Sequence, residues 1–236
     1  MILKASINSP FLCLTFSSIF IILSCYYRKI GNKNYSSWSL RPWLLLKQFG
    51  IEFTETRIPL YAETSKKQLL AQSTSGKVPV LKDQYLTIWD SLAICEYIAE
   101  LYPDKKCWPA SFQDKALARA VSSEMHSSFL HIRNMLPMNC RKKIQYTPIT
   151  PDLQADIDRI CQIWQECLSH SGGPFLFGQF CIADAMYAPI VLRFKSYGIK
   201  VGELETRYMQ TVLVLDSLQE WISAGIEEKE VTEDAE

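Results

Sequence analysis

The hydrophobic pattern of this chain changes once, near residue 111. Before that point, short apolar runs with strand-like spacing alternate with amphipathic helical runs, whereas from Ser111 onward only helical spacing occurs. Strands alternating with helices and then helices alone predict an α/β domain followed by an all-α domain. The chain has 236 residues, which is long enough for two small domains.

The first domain is predicted to contain four strands and three helices. Strands are expected at 26–30, 53–60, 78–81 and 85–89, and helices between Ser36 and Gly50, at 65–72 and at 90–101. A right-handed crossover makes the first two strands parallel, and a tight turn makes the last two antiparallel. The order β-α-β-α-β-β-α is the thioredoxin-like arrangement.

The second domain is predicted to be purely helical. Helices are expected at 114–135, 153–169, 183–197 and 213–222, after a linker at 107–110. The predicted units are therefore a thioredoxin-like domain at 26–106, an all-helical domain at 111–225 and an acidic tail at 226–236. We expect the tail to fray, because it offers few apolar groups to bury.

Residues 1–25 form a hydrophobic N-terminal extension. The uncharged run at 11–27 follows Lys4 and is at the short limit for a membrane span. A targeting segment, a non-native extension and a run that simply ends in the first buried strand all fit this composition. We expect a cytoplasmic protein without membrane association.

Charge and cysteine usage exclude several kinds of ligand. The 25 basic and 25 acidic residues leave a net charge of zero, so no basic surplus neutralises phosphates and we expect no nucleic-acid binding. The eight cysteines form no C-x-x-C pair and no cluster with histidine, so we expect no metal site. Scattered cysteines are typical of reduced thiols in a cytosolic protein.

Three local features of the first domain indicate one ligand. Val78-Pro79 opens a strand, and a cis bond there would turn the backbone of Val78 outward to pair with an extended peptide. Asp90-Ser91 begins a helix, whose free amides attract a carboxylate while Asp90 can hold an ammonium group. Ser36-Ser37 also lies at a helix start, where hydroxyls can stabilise a thiolate. Taken alone, each serine or aspartate is better explained as an ordinary helix cap.

Together these segments resemble the cytosolic glutathione transferase family, closest to zeta-like bacterial members. The similar stretches are NKNYSSWSLRPW at 32–43, GKVPVL at 76–81 with DSLAI at 90–94, and GQFCIADA at 178–185. They occur in the order and spacing of that family, and the similarity covers residues 26–225. The resemblance implies a thioredoxin-like N-terminal domain followed by an all-α C-terminal domain.

The resemblance also implies roles for individual residues. Ser36 matches the thiol-activating serine of zeta members, with Ser37 as its neighbour and second candidate. The glutathione-binding residues implied are Lys77, Val78, Pro79, Asp90 and Ser91. Val78 would pair with the cysteinyl part of glutathione, and Asp90 and Ser91 with the γ-glutamyl ammonium and carboxylate.

Two positions depart from the family pattern. Trp38 stands where zeta members have cysteine, which puts their isomerase chemistry in question more than glutathione binding. Cys181 stands where the family has a serine or threonine as helix cap, and a thiol is a weaker hydrogen-bond partner.

The function expected from this resemblance is conjugation of the glutathione thiolate to a soft electrophilic small molecule in a cytoplasmic homodimer, as in detoxification. Candidate electrophile-pocket residues are His126, Arg133 and Asn139, with Arg141 nearby. For each of them, a solvated helix face or an interdomain salt bridge is a better explanation than contact with a substrate. Arg193 could recognise an acidic substrate. Its spacing from Asp184 differs from that of the arginine of zeta members, so that role is not assigned to it. The alternatives are a glutathione-dependent cis–trans isomerase of the maleylacetoacetate type and a non-catalytic glutathione-binding stress protein. A thiol reductase would need a cysteine at the helix start.

Overall fold

The structure of the protein is a computed structural model that describes residues 26–143 and 148–231. The hydrophobic extension expected at residues 1–25 lies outside the described residues, as do Cys13 and Cys25. Within the described ranges, no helix is both long and apolar enough to cross a bilayer.

The N-terminal domain has the predicted thioredoxin-like order. Its elements are β1 (Tyr26–Ile30), α1 (Ser37–Gln48), β2 (Phe53–Arg57), α2 (Ser65–Gln72), β3 (Val80–Asp83), β4 (Leu86–Trp89) and α3 (Ser91–Leu101). The sheet runs β2-β1-β3-β4, with β1 parallel to β2 and the other neighbours antiparallel. The expected fold class is therefore confirmed, although β2 and β4 are shorter than their predicted ranges and β3 begins and ends two residues later than predicted.

Helix α1 forms the base of the site and is buried on most of its faces. Leu40, Trp43 and Leu44 are buried against the sheet and the C-terminal helices. Pro42 lies inside the helix, beyond its first turn, so the hydrogen bond that an amide at this position would donate to the Trp38 carbonyl cannot form. Gly50 has φ +62°, a left-handed conformation that glycine adopts without strain and that turns the chain towards β2.

The C-terminal domain consists, in its described part, of helices and the loops that join them. Its helices are α4 (Phe112–Ser127), α5 (Leu130–Met135), α6 (Pro151–Ser171), α7 (Ile182–Ser196), α8 (Glu203–Leu213) and α9 (Asp216–Glu227). The single helix expected at 114–135 is wrong. Phe129 adopts φ +65° and interrupts the helix while its ring stays in the core. Helix α8 was not predicted, and α9 begins later and ends later than the range 213–222.

The two domains share a continuous hydrophobic core. Trp43 of α1 packs edge-on against Trp221 of α9, with ring centroids 5.1 Å apart. In the linker, Cys107 and Trp108 are buried, and the Cys107 carbonyl accepts a hydrogen bond from Ile182 at the start of α7 at 2.9 Å. Because α1 lies between the sheet and the helical domain, its first turn faces the boundary between them.

Candidate functional site

Three segments converge at one end of the sheet. Lys29 of β1 lies opposite Val80 of β3, and Val80 lies opposite Trp89 of β4. The loop after β1, the residues before β3 and the residues after β4 are therefore adjacent in space. These are the segments that carry Ser36-Ser37, Val78-Pro79 and Asp90-Ser91, so the fold brings the three sequence-predicted features together.

The two serines at the start of α1 are both buried and differ in their hydrogen bonds. Ser36 is the N-cap; its Oγ accepts from the Ser39 amide at 3.3 Å and donates to Ser39 Oγ at 2.8 Å. Ser37 Oγ accepts a hydrogen bond from Arg193 Nη2 on α7 at 3.3 Å. One serine is thus bound within its own helix turn, and the other is bound across the domain boundary.

The loop that leads into α1 is held from several sides. The backbone carbonyl of Asn32 accepts a hydrogen bond from the Ser36 amide at 2.8 Å, and the side-chain Oδ1 of Asn32 accepts one from the Leu60 amide at 2.7 Å. Asn34 Oδ1 accepts the amide of Cys140 at 2.8 Å, from the loop after α5. These contacts fix the position of the serine pair relative to both domains.

Residues after α9 also bind this loop. The Glu228 carboxylate accepts the backbone amides of Lys33 at 2.7 Å and Asn34 at 3.2 Å. Arg141 Nη2 donates to the Tyr35 hydroxyl at 2.6 Å and to the Glu230 carbonyl at 2.8 Å. The first part of the acidic tail is therefore bound to the loop before the serines and is not frayed, contrary to our expectation.

The segment before β3 combines a cis peptide bond with a buried proline. The Val78–Pro79 peptide bond is cis, Lys77 is exposed and Val78 is half-buried. In the described part of the chain, no hydrogen bond engages the backbone amide or carbonyl of Val78. These groups are the ones that the resemblance assigns to an extended peptide ligand.

Asp90 and Ser91 form the start of α3. Asp90 has φ +81°, and its Oδ1 caps the helix by accepting the amides of Leu92 at 2.9 Å and Ala93 at 3.2 Å. The Ser91 hydroxyl is buried and makes no hydrogen bond to any described residue. Because buried hydroxyls normally have partners, an unpaired donor at a helix start fits a carboxylate ligand such as that of glutathione.

His126 contacts Asp90 across the domain boundary. Its Nε2 lies 3.0 Å from Asp90 Oδ2, and its ring packs edge-on against Trp38 with centroids 5.2 Å apart. Burial acts to raise the pKa of the Asp90 carboxyl, but hydrogen bonds from His126 and from the Ala93 and Leu92 amides outweigh it and lower the pKa. One candidate electrophile-pocket residue is thus paired with a candidate glutathione-binding residue.

Trp38 lies between two arginines. Its ring is 4.3 Å from the guanidinium of Arg41 and 4.7 Å from that of Arg133, which also donates to the Ser128 carbonyl at 2.9 Å. Burial, and then the charges of Arg133 and Arg193, lower the pKa of Arg41 to about 9. Arg41 is therefore still a cation at neutral pH, and the start of α1 has a positive environment.

Asn139 and Arg141 lie in the loop after α5. Asn139 is buried, and its Oδ1 accepts the amides of Arg141 at 3.0 Å and Lys142 at 3.1 Å. Arg141 binds Tyr35 and the residues after α9, as described above. The structure therefore brings His126 and Arg133 next to Trp38, whereas the side chains of Asn139 and Arg141 stabilise loops.

The described cysteines do not form a reactive site. All six are free thiols, and burial raises the pKa of each, to about 11 for Cys107 and Cys161 and about 12 for Cys140 and Cys167. Among the residues that the structure describes, no group of His, Cys, Asp or Glu has the arrangement of a metal site.

Sequence reasoning did not identify the contact of Arg193 with Ser37 or that of Glu228 with the loop at 33–34. Arg193 is buried in an otherwise apolar stretch of α7, and that isolated charge is a signal that a partner is nearby. Glu228 is one of several acidic residues near the C-terminus, so its local sequence carries no such signal.

Comparisons with known proteins find glutathione transferases and maleylacetoacetate isomerases. The family described as glutathione S-transferase, N-terminal domain, matches residues 35–101. A maleylacetoacetate isomerase of Rattus norvegicus is 25% identical over 189 residues, which cover 78% of this chain and 85% of the relative. A zeta-class glutathione S-transferase of Euphorbia esula is 27% identical over 157 residues, which cover 65% of this chain and 70% of the relative.

Solved structures share the whole fold. A glutathione transferase homologue from Burkholderia, with bound glutathione, superposes with a TM-score of 0.68 at 21% identity and covers 86% of this chain and 100% of its own. Ure2p in complex with glutathione superposes with a TM-score of 0.66 at 12% identity and covers 84% of this chain and 99% of its own. Residues 35–101 thus match the glutathione S-transferase N-terminal domain, the chain is similar to zeta-class and maleylacetoacetate isomerase relatives, and its fold is that of glutathione transferases.

Proposed function

We propose that this protein is a glutathione transferase that conjugates the glutathione thiolate to a soft electrophilic small molecule. The observation that carries the proposal is the convergence of the serine pair, the Val78-Pro79 segment and the start of α3 at one end of the sheet. Each of these features alone suits a structural role. Together they supply a backbone edge, a carboxylate and hydroxyl donors, which match the groups of one tripeptide.

Each segment has a role in this proposal. The backbone of Val78, between Lys77 and Pro79, pairs with the cysteinyl part of glutathione. Asp90 holds the γ-glutamyl ammonium, and Ser91 with the helix start holds the carboxylate. The serine pair stabilises the thiolate, for which a pKa decrease of ~2 units requires about 2.7 kcal/mol. A charge-assisted hydrogen bond and the dipole of α1 can together stabilise the thiolate by about this much free energy.

The acceptor binds between the domains in this proposal. Residues 26–106 form the glutathione-binding unit, and the helical unit at 111–225 supplies the acceptor side. His126 and Arg133 are the best-supported pocket residues, because both contact Trp38 beside the serines. Asn139 is less well supported as a pocket residue, because its side-chain oxygen already accepts hydrogen bonds from two backbone amides.

The proposed assembly is a cytoplasmic homodimer that acts in detoxification. Edge strand β4 and the turn before it expose Tyr85, Leu86 and Trp89, which supports an apolar contact with a second copy. Sedimentation analysis tests this assembly. Charge substitution of Leu86 and Trp89 should produce a monomer.

A glutathione-dependent isomerase of the maleylacetoacetate type is the second candidate, and relatives with that name favour it. The two reactions differ in the fate of glutathione: transfer consumes one glutathione for each product, whereas isomerisation regenerates it. Against isomerisation stands Trp38 at the position where zeta members have cysteine. A non-catalytic glutathione-binding stress protein is a third candidate and predicts binding without rate acceleration.

Mass spectrometry of reactions with glutathione and a panel of soft electrophiles tests the proposal. We expect stoichiometric glutathione conjugates, formed faster than without protein and more slowly with the Ser36→Ala, Ser37→Ala double variant. Unconjugated product of unchanged mass but altered double-bond geometry would support the isomerase. Glutathione binding with no acceleration of either reaction would support the non-catalytic protein.

A further inference from the structure

Arg193 is held in one orientation by the end of α5. Its Nη1 donates to the carbonyls of Ile132 at 3.3 Å and Arg133 at 3.4 Å, and also to that of Leu136. These carbonyls belong to the C-terminal turn of a helix, where the partial charge is negative and a cation is stabilised. With Nη1 fixed in this way, Nη2 is directed at Ser37 Oγ.

The contact with Arg193 determines what the Ser37 hydroxyl can do. A guanidinium only donates hydrogen bonds, so the Ser37 oxygen must accept from it and its own hydrogen must point elsewhere. No described residue accepts that hydrogen. Ser37 is therefore buried beside the site with an uncommitted donor whose oxygen is polarised by a cation.

Ser36 is in the opposite situation. Its hydrogen is donated to Ser39 Oγ, and its oxygen accepts the Ser39 amide, as an N-cap does. Ser39 Oγ in turn accepts the amide of Gly31, which ties this group to the end of β1. To donate to a thiolate, Ser36 would have to give up the hydrogen bond that joins it to Ser39.

We propose that Ser37, held as an acceptor by Arg193, is the hydroxyl that donates to the glutathione sulfur, and that Arg193 is its positioning residue. This inference rests on the proposed function and assigns its thiol-activating step. It differs from the expectation based on resemblance, which favours Ser36. Ser36 then acts by capping α1 and keeping its first turn in place.

The test is an ultraviolet titration of the thiol of glutathione bound to the full chain, which reports the thiol pKa directly. Ser37→Ala is expected to raise that pKa by about 1–2 units, the equivalent of one charge-assisted hydrogen bond. Ser37→Thr, which keeps the hydroxyl, should restore most of the shift. Ser36→Ala should shift the pKa by less than half as much and should mainly lower the melting temperature. The exposed Ser123 serves as the matched control, and Ser123→Ala should change neither.

Arg193 is tested by the same titration, because it also supports the fold. Arg193→Lys keeps the positive charge but has no second nitrogen directed at Ser37, and it should raise the thiol pKa by about half the shift of Ser37→Ala. An unchanged pKa in Arg193→Lys would overturn the positioning role. A larger shift in Ser36→Ala than in Ser37→Ala, or an equal one, would overturn the assignment to Ser37. If glutathione bound to the unmodified protein titrates like free glutathione, the proposed function itself fails.

Discussion

His126 of α4 lies 3.0 Å from Asp90, the residue that caps the start of α3. A helix cap of the N-terminal domain is therefore paired with a side chain of the C-terminal domain. Asp90 therefore has three partners: its own helix start, His126 and, in the proposed function, the ammonium group of glutathione. The pairing lowers the pKa of the carboxyl and keeps it charged at neutral pH.

Asp90→Asn should weaken glutathione binding about 10- to 100-fold, since a charge-assisted hydrogen bond to the ammonium is lost. Asparagine is itself a good N-cap and tolerates positive φ, so the variant should remain folded. Isothermal titration calorimetry measures the affinity. The exposed Asp104 provides the control, and Asp104→Asn should bind normally. Equal affinity in Asp90→Asn and the unmodified protein would exclude the proposed role.

Burial of Asp184 predicts a pH dependence of stability. Its carboxylate accepts the amides of Leu176 at 3.0 Å and Cys181 at 2.9 Å, yet burial raises its pKa to about 6. The folded protein thus holds this proton more tightly than the unfolded chain. Its contribution to stability is complete below about pH 4 and is lost as the pH rises to about 6, a loss of about 3 kcal/mol.

Urea unfolding of the unmodified protein and Asp184→Asn, followed from pH 4 to 7, isolates this contribution. The stability advantage of the unmodified protein should shrink as the pH rises, because asparagine does not titrate. Carbon-13 resonances of the Asp184 carboxyl should show a midpoint near pH 6. A midpoint near that of an exposed aspartate would contradict the effect of burial.

Cys181→Ser should stabilise the protein by about 1 kcal/mol, or about 2–4 °C in melting temperature. Cys181 and Asp184 form a reciprocal capping box at the start of α7, in which the sulfur is a weak acceptor. The same substitution at Cys167, buried within α6, should lower the melting temperature, because it buries a hydroxyl at a position where there is no helix start for it to cap. No increase for Cys181→Ser would mean that the thiol already caps the helix fully.

Glu228→Gln should lower both stability and turnover. The carboxylate accepts the amides of Lys33 and Asn34, and glutamine would turn an N–H group towards one of them, at a cost of about 1–2 kcal/mol. The loop that leads to Ser36 would then be less ordered. Glu227 is exposed, so Glu227→Gln is the matched control. Comparable behaviour of the two variants in thermal unfolding and conjugation rate would rule out this function of the tail.

The order of elements in the N-terminal domain was predictable because each element has a local signature. Asp90 before an apolar periodic run marks the start of α3, and Gly50 marks the end of α1. The break between α4 and α5 was not predictable. It depends on a left-handed Phe129, a conformation that bulky residues rarely adopt and that only tertiary packing stabilises.

The candidate site was predictable only in part for a similar reason. Ser36, Val78 and Asp90 lie in short motifs whose residues are close in sequence. The hydrogen bond of Arg193 to Ser37 joins residues 156 positions apart, and that of Glu228 to Lys33 joins residues 195 positions apart. No periodicity encodes such contacts, and they become visible only when both domains are in place.

The central claim is that one end of the sheet binds glutathione as a transferase does, and a crystal structure of the full chain soaked with glutathione tests it most directly. We expect the cysteinyl backbone to pair with Val78, the γ-glutamyl ammonium to lie at Asp90, the carboxylate to lie at Ser91 and the sulfur to lie within hydrogen-bond distance of Ser37 Oγ. Glutathione bound elsewhere, or its sulfur directed away from the first turn of α1, would contradict the account.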